Sequence, residues 1–311
     1  MDIRRLGDAL DRHQVPLYLA AIAVGLALGA LLPAAPGPLE LAVEPTIAAL
    51  LLVTFHGIPL RGIGAALQDG RFLLTLLAVN FLVVPLIVWA LTRPLASSPE
   101  LLVGALLVLL APCIDYVIVF SALAGGAHER LLAATPLLML AQLVALPVLV
   151  PLLSGGTARG MIEAGPFLRA LVLLVLLPLL AAALLQRLAP RLDLSPAMVP
   201  LMMLVLFTVV ASQTPRVLGA GTALLVLVPV YAGFLVLATA AGILAARLAR
   251  LETPSARALT FSAATRNSLV VLPLALAMPS PLVPAAVVTQ TLVELLGMVA
   301  LVRVLPRLLS R

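Results

Sequence analysis

"LAPCIDYVIVFSALAGG" runs from Leu110 to Gly126 and sets a proline, the chain's only cysteine and an aspartate side by side in an otherwise apolar stretch. A charge at the centre of a bilayer costs about 2.5–3.5 kcal/mol on insertion scales, so such a residue usually faces a cavity or partner and marks a pathway. Pro112 lacks an N–H and its ring clashes with the carbonyl four residues back, which predicts a helix kinked or interrupted where Cys113 and Asp115 stand. The carbonyls freed by that break need partners.

The rest of the chain sets the context. Of its 311 residues 63% are apolar and 10% charged. The apolar residues fall in blocks of roughly 17–25, the length that crosses a hydrocarbon core of about 30 Å. The fold class expected is an all-α polytopic membrane protein. A soluble fold of this size needs a charged exterior, and a barrel shows short alternating segments instead of unbroken runs such as Leu171–Leu185. The net charge of +6 comes with 19 basic residues, all arginine and scattered between apolar blocks, which reads as topogenic charge and argues against a nucleic-acid partner. A single cysteine excludes an internal disulfide, and no cysteine–histidine cluster has metal-ligand spacing, so neither metal nor cofactor is expected. His13, His56 and His128 fall at or near expected helix ends, where interfacial roles suit them. Met1–Gln14 is short and charged and precedes a block containing "ALGA" at Ala27–Ala30; the block is long for a signal peptide and is kept as a transmembrane helix.

Apolar blocks read against proline, glycine and charge give ten spans, at roughly 15–33, 40–56, 72–91, 100–123, 131–153, 167–187, 196–213, 219–246, 256–278 and 282–302. Fourteen arginines (Arg4, Arg5, Arg12, Arg61, Arg71, Arg130, Arg187, Arg191, Arg247, Arg250, Arg257, Arg303, Arg307, Arg311) then lie on the side of the termini and four (Arg93, Arg159, Arg169, Arg216) on the other. The bias puts both termini in the cytoplasm, with the protein in the plasma (inner) membrane. Residues 1–153 form a first five-helix repeat, 154–166 a connecting loop and 167–311 a second repeat that enters from the opposite face. "LMLAQLVAL" (Leu138–Leu146) aligns with "QTLVELLGM" (Gln290–Met298), setting Gln142 opposite Glu294.

Three charged residues fall mid-span: Asp115, Arg266 and Glu294. The run "SAATRNS" (Ser262–Ser268) is polar enough to open the ninth helix at the depth where Pro112 opens the fourth. Transporters built from inverted repeats place their sites at such paired breaks. Asp115 and Arg266 read either as a buried ion pair that fixes packing or as parts of a transport cycle in which Asp115 pairs with Arg266 or binds a proton. Glu294 reads as a proton-coupling residue. Gln290, four residues before it on the same face, suits a helix–helix hydrogen bond. Cys113 is either a small core residue or part of the substrate path.

These motifs resemble the arsenical-resistance (arsenite efflux) branch of the bile acid:sodium symporter superfamily. "APCIDYVIVFSALAGG" resembles that branch's fourth-helix signature, "FSAATRNS" (Phe261–Ser268) its ninth-helix motif and "LVELLGM" (Leu292–Met298) its tenth. The resemblance implies a core of helices 3–5 and 8–10 with crossing broken helices 4 and 9, a panel of helices 1, 2, 6 and 7, and substrate between them. Cys113 would be the metalloid contact, since trivalent arsenic prefers soft sulfur. There are departures: Leu269 stands at the family's acidic position, Arg266 replaces an asparagine, and Asp115 stands where a small residue is usual. Sodium-coupled members are similar to one another in a glutamate and a glutamine whose positions here look like Ser262 and Arg266. A fixed arginine charge disfavours a sodium ion there, so protons are the expected coupling ion, through Asp115, Glu294 or both.

The expected protein is a secondary transporter and not an enzyme. Its leading cargo is arsenite or a related metalloid in exchange for protons; the alternative is an organic anion held by Arg266. The expected partners are therefore a small inorganic or organic anion, protons and membrane lipid. Cys113, Asp115, Tyr116, Arg266 and Asn267 are the candidate substrate contacts, with Ser262, Thr265, Ser268, Gln142 and Gln290 as supporting polar groups.

Overall fold

Proline and glycine punctuation decides where the helices stop. The computed structural model describes residues 13–32, 36–57, 69–114, 116–156, 172–189 and 191–310, and among them every regular element is helical. Helices α1 (Gln14–Leu31) and α2 (Pro36–Gly57) precede α3 (Gly70–Leu95), which contains a π-helical turn at Val79–Val83. Asp69 caps α3 by accepting the Phe72 N–H at 3.2 Å. Then come α4 (Pro99–Leu109), α5 (Tyr116–Leu123) and α6 (His128–Leu153), the last bent by 55° between Thr135 and Leu137. A π-helical turn at Val172–Leu176 leads into α7 (Leu177–Leu188). The chain continues through α8 (Met198–Ala220), α9 (Leu227–Leu248), α10 (Thr253–Ala264), α11 (Ser268–Leu276) and α12 (Leu282–Leu308).

Five helices among the described residues are long and apolar enough to cross a membrane: Leu39–Gly57, Gly70–Leu95, Ser195–Pro215, Gly221–Leu248 and Leu282–Leu308. The bent α6 makes a sixth, and Pro16–Leu31, Pro99–Leu109 and Leu177–Leu188 are shorter apolar helices. The fourth and ninth expected spans are each split in two, at 110–114 and 265–267, so neither half reaches spanning length by itself. Asp115, most of the expected loop 154–166, and Arg159 and Arg169 lie outside the described residues.

Two groups of helices pack together. α8 lies along α1 and α2, and α2 packs on α7. The α1–α8 contact depends on small residues: a Cβ at Gly29 would stand 2.6 Å from the Ala211 carbonyl oxygen, and one at Gly25 would stand 3.1 Å from that of Phe207. This Gly-x-x-x-Gly spacing lets two backbones approach where lipid offers no hydrophobic drive. In the second group α9 packs on α10 and α12, α12 on α4 and α11, and α5 on α6 and α10. Leu101–Leu109 of α4, Ala258–Ala264 of α10 and Val283–Thr291 of α12 are buried on every face, so the polar groups they carry are sealed from lipid.

Candidate functional site

The two breaks meet. The Cys113 N–H donates to the Thr265 carbonyl at 3.3 Å and the Asn267 N–H donates to the Ala111 carbonyl at 2.8 Å, an antiparallel bridge centred on Pro112 and Arg266. Pro112 needs no acceptor, and Thr265 is extended (φ −100°, ψ 144°), so the links between helix halves satisfy each other. Asn267 restarts the second helix by accepting the Val270 N–H at 3.1 Å.

Arg266 sits at this crossing with no exposed surface. Its guanidinium donates to the carbonyls of Leu109 (3.4 Å), Ser262 (2.8 Å) and Ala263 (2.5 Å) and to Asn80 Oδ1 (3.1 Å). The Phe234 ring stands 5.2 Å from Arg266 Cζ. The Arg266 backbone N–H donates to Glu294 Oε2 at 2.8 Å, and the same oxygen accepts Gln290 Nε2 at 2.5 Å. Glu294 and Gln290 are 3% and 2% exposed, so this carboxylate works inside the protein. Asn80 Nδ2 donates to Ser262 Oγ at 3.1 Å and to the Leu76 carbonyl at 3.0 Å. One cluster therefore joins α3, the ends of α4 and α10, and α12.

The structure brings together Arg266, Ser262, Glu294, Gln290, Thr265, Asn267 and Cys113, all buried. Thr265 Oγ1 donates back to the Phe261 carbonyl at 2.6 Å, a local role. Ser268, also buried, begins α11, and Tyr116 begins α5. Gln142 is wholly buried on α6, and neither of its amide atoms has a hydrogen-bond partner among the described residues. Asn80 was not anticipated. Its signal is present, a lone amide in the apolar run Leu76–Val84, and it occupies the π-helical turn, a distortion frequent at functional sites. Tyr231, equally unforeseen, is buried and donates to the Ala286 carbonyl at 2.9 Å, tying α9 to α12.

Two cavities open between the helix groups. One of about 450 Å³ is lined by Tyr18 of α1, by Ile118, Val119, Ala122 and Leu123 of α5, by His128 of α6, and by Ser195, Met198, Val199 and Met202 at and after the start of α8. The other, about 1440 Å³, touches Ser195 too and is rimmed by His56, Gln186, Arg187, Arg191 and Asp193. Cys113 and Arg266 line neither.

Paired helix breaks that cross inside a sealed polar cluster, beside cavities between two helix groups, define a class: the multi-pass membrane transporters. The chain belongs to the SBF-like CPA transporter family, whose model matches residues 16–301, nearly its whole length. This places it among the bile acid:sodium symporter-like transporters of small solutes, not among enzymes. A search of curated proteins finds no match.

Proposed function

We propose that the protein is a secondary active transporter that moves an organic anion by alternating access, coupled to protons. The observation that carries this reading is the cavity of about 450 Å³ set between α1 and α8 on one side and α5 on the other. Its lining is largely apolar with a tyrosine, a serine and a histidine, which suits an amphipathic solute. Arg187 and Arg191 outnumber Asp193 on the rim of the adjoining cavity, and a net positive rim raises the local concentration of anions.

In this reading α1, α2, α7 and α8 are a panel, and α3–α6 with α9–α12 a core that rocks against it. The chain then makes ten spans in two inverted repeats, 1–153 and 167–311, with both termini cytoplasmic in the plasma membrane. The mutual packing of α1, α2, α7 and α8 supports the division. Glu294, buried and bonded to the crossing, and Asp115 are the proton carriers. Arsenite as cargo needs Cys113 on the path, and the anion contact expected of Arg266 needs that side chain there. Both are wholly buried and line neither cavity, so the organic anion is favoured by the apolar lining of the smaller cavity and not by an Arg266 contact.

Proteoliposomes with an imposed pH gradient test this. Amphipathic organic anions should accumulate and show counterflow, and Cys113→Ser should leave their uptake nearly intact. Arsenite uptake lost in Cys113→Ser, with no organic-anion uptake, would overturn the cargo; absence of counterflow would replace the carrier with a pore.

A further inference from the structure

The three carbonyls that Arg266 takes are those the crossing sets free. In a continuous helix the Ser262 carbonyl would accept the Arg266 N–H, the Ala263 carbonyl the Asn267 N–H and the Leu109 carbonyl the Cys113 N–H, each four residues on. Here those three N–H groups are diverted to Glu294, Ala111 and Thr265. The orphaned carbonyls converge, with Asn80 Oδ1, on the guanidinium. They belong to the last residue of α4 and the last turn of α10, so two helix C-termini, each equivalent to roughly half a negative charge, point at one spot. Convergent carbonyls at half-helix ends are the chemistry of a monovalent-cation site.

We propose that the crossing is such a cation site, filled by the chain's own side chain: Arg266 is a tethered cation that stands where a dissolved one would otherwise be needed. The ring of Phe234 lies over the guanidinium, adding a face that also favours a cation. The native protein therefore takes no stabilisation from dissolved small cations at this site, and removing the side chain opens the site to them. The inference deepens the reading of the crossing as the core of a transporter, but its readout is independent of cargo.

The experiment uses the purified full-length chain in detergent. Arg266→Gly should melt below the native protein, and millimolar guanidinium chloride should raise its melting temperature saturably, whereas urea, neutral and of the same shape, should not. The native protein should respond to neither. Equal recovery with urea, or none with guanidinium, overturns the proposal, because the side chain then fills space or acts only through its connection to the backbone. Should Arg266→Gly be too unstable to purify, Arg266→Lys and Arg266→Gln are compared in native membranes. Lysine should keep the protein folded and glutamine should not; a glutamine variant as stable as the lysine one overturns the proposal. Because transport is not measured, a wrong cargo leaves this result untouched.

Discussion

Glu294 on α12 accepts the backbone N–H of Arg266 at 2.8 Å, so a side chain from the last helix holds the peptide at which α10 breaks. The same oxygen accepts Gln290 Nε2. Glu294→Ala leaves two buried donors without this acceptor, at about 1–3 kcal/mol for each. Thermal unfolding should register that loss. Glu294→Gln keeps an acceptor oxygen and should fold with a smaller loss, while its transport becomes insensitive to an imposed pH gradient. Gradient-driven uptake at the native rate in Glu294→Gln would remove Glu294 from the coupling role.

Asn80 joins α3 to the crossing through Arg266 and Ser262. Asn80→Leu strips the guanidinium of one acceptor and Ser262 Oγ of its donor, an expected loss of roughly 1–3 kcal/mol. Asn80→Asp keeps the acceptor and adds a charge opposite to that of the guanidinium, so it should unfold at a higher temperature than Asn80→Leu. The reverse order would mean that the site tolerates no further negative charge and that the guanidinium is already neutralised.

Much of this was legible because bilayer physics leaves few options. An apolar block with a proline and an aspartate inside it has to break and has to find partners, and "LAPCIDYV" does break at 110–114. Arg266 and Glu294 announced themselves as charges in apolar helices, and they do meet. What the sequence withheld was which atoms meet. Asp115 lies outside the described residues; among those described, the Arg266 guanidinium takes three carbonyls and Asn80 Oδ1, and the Glu294 contact is to its backbone. Backbone groups carry no residue letter, so these partners become visible only once the two breaks are seen to cross. Asn80 was passed over because one amide in an apolar run resembles many others. Its importance comes from the π-helical turn that carries it, and turns of that kind have no sequence signature.

The α1–α8 contact should be sensitive to a single methyl-sized change. A Cβ at Gly29 would lie 2.6 Å from the Ala211 carbonyl oxygen and 2.7 Å from Thr214 Cβ, both on α8. Gly29→Ala therefore has to separate the helices, at a cost of about 1–3 kcal/mol in unfolding experiments. Gly57→Ala, at the end of α2 where nothing lies within 4 Å, is the control and should melt with the native protein.

Filling the smaller cavity should separate transport from folding. Ala122 is exposed on α5 and faces the cavity it shares with Tyr18, Met198 and Met202. Ala122→Trp adds an indole to open space and displaces no packed neighbour, so its melting temperature should stay close to that of the native protein. Yet the large ring occupies the volume between α5 and the α1–α8 pair that the solute would use and across which the two helix groups would have to move. Uptake should fall at least tenfold, whichever solute is offered, while Ala122→Ser, which adds only one oxygen, should transport normally. A tryptophan variant that folds and still transports at the native rate would mean that cargo passes elsewhere, and the larger cavity rimmed by Arg187 and Arg191 would become the path to examine.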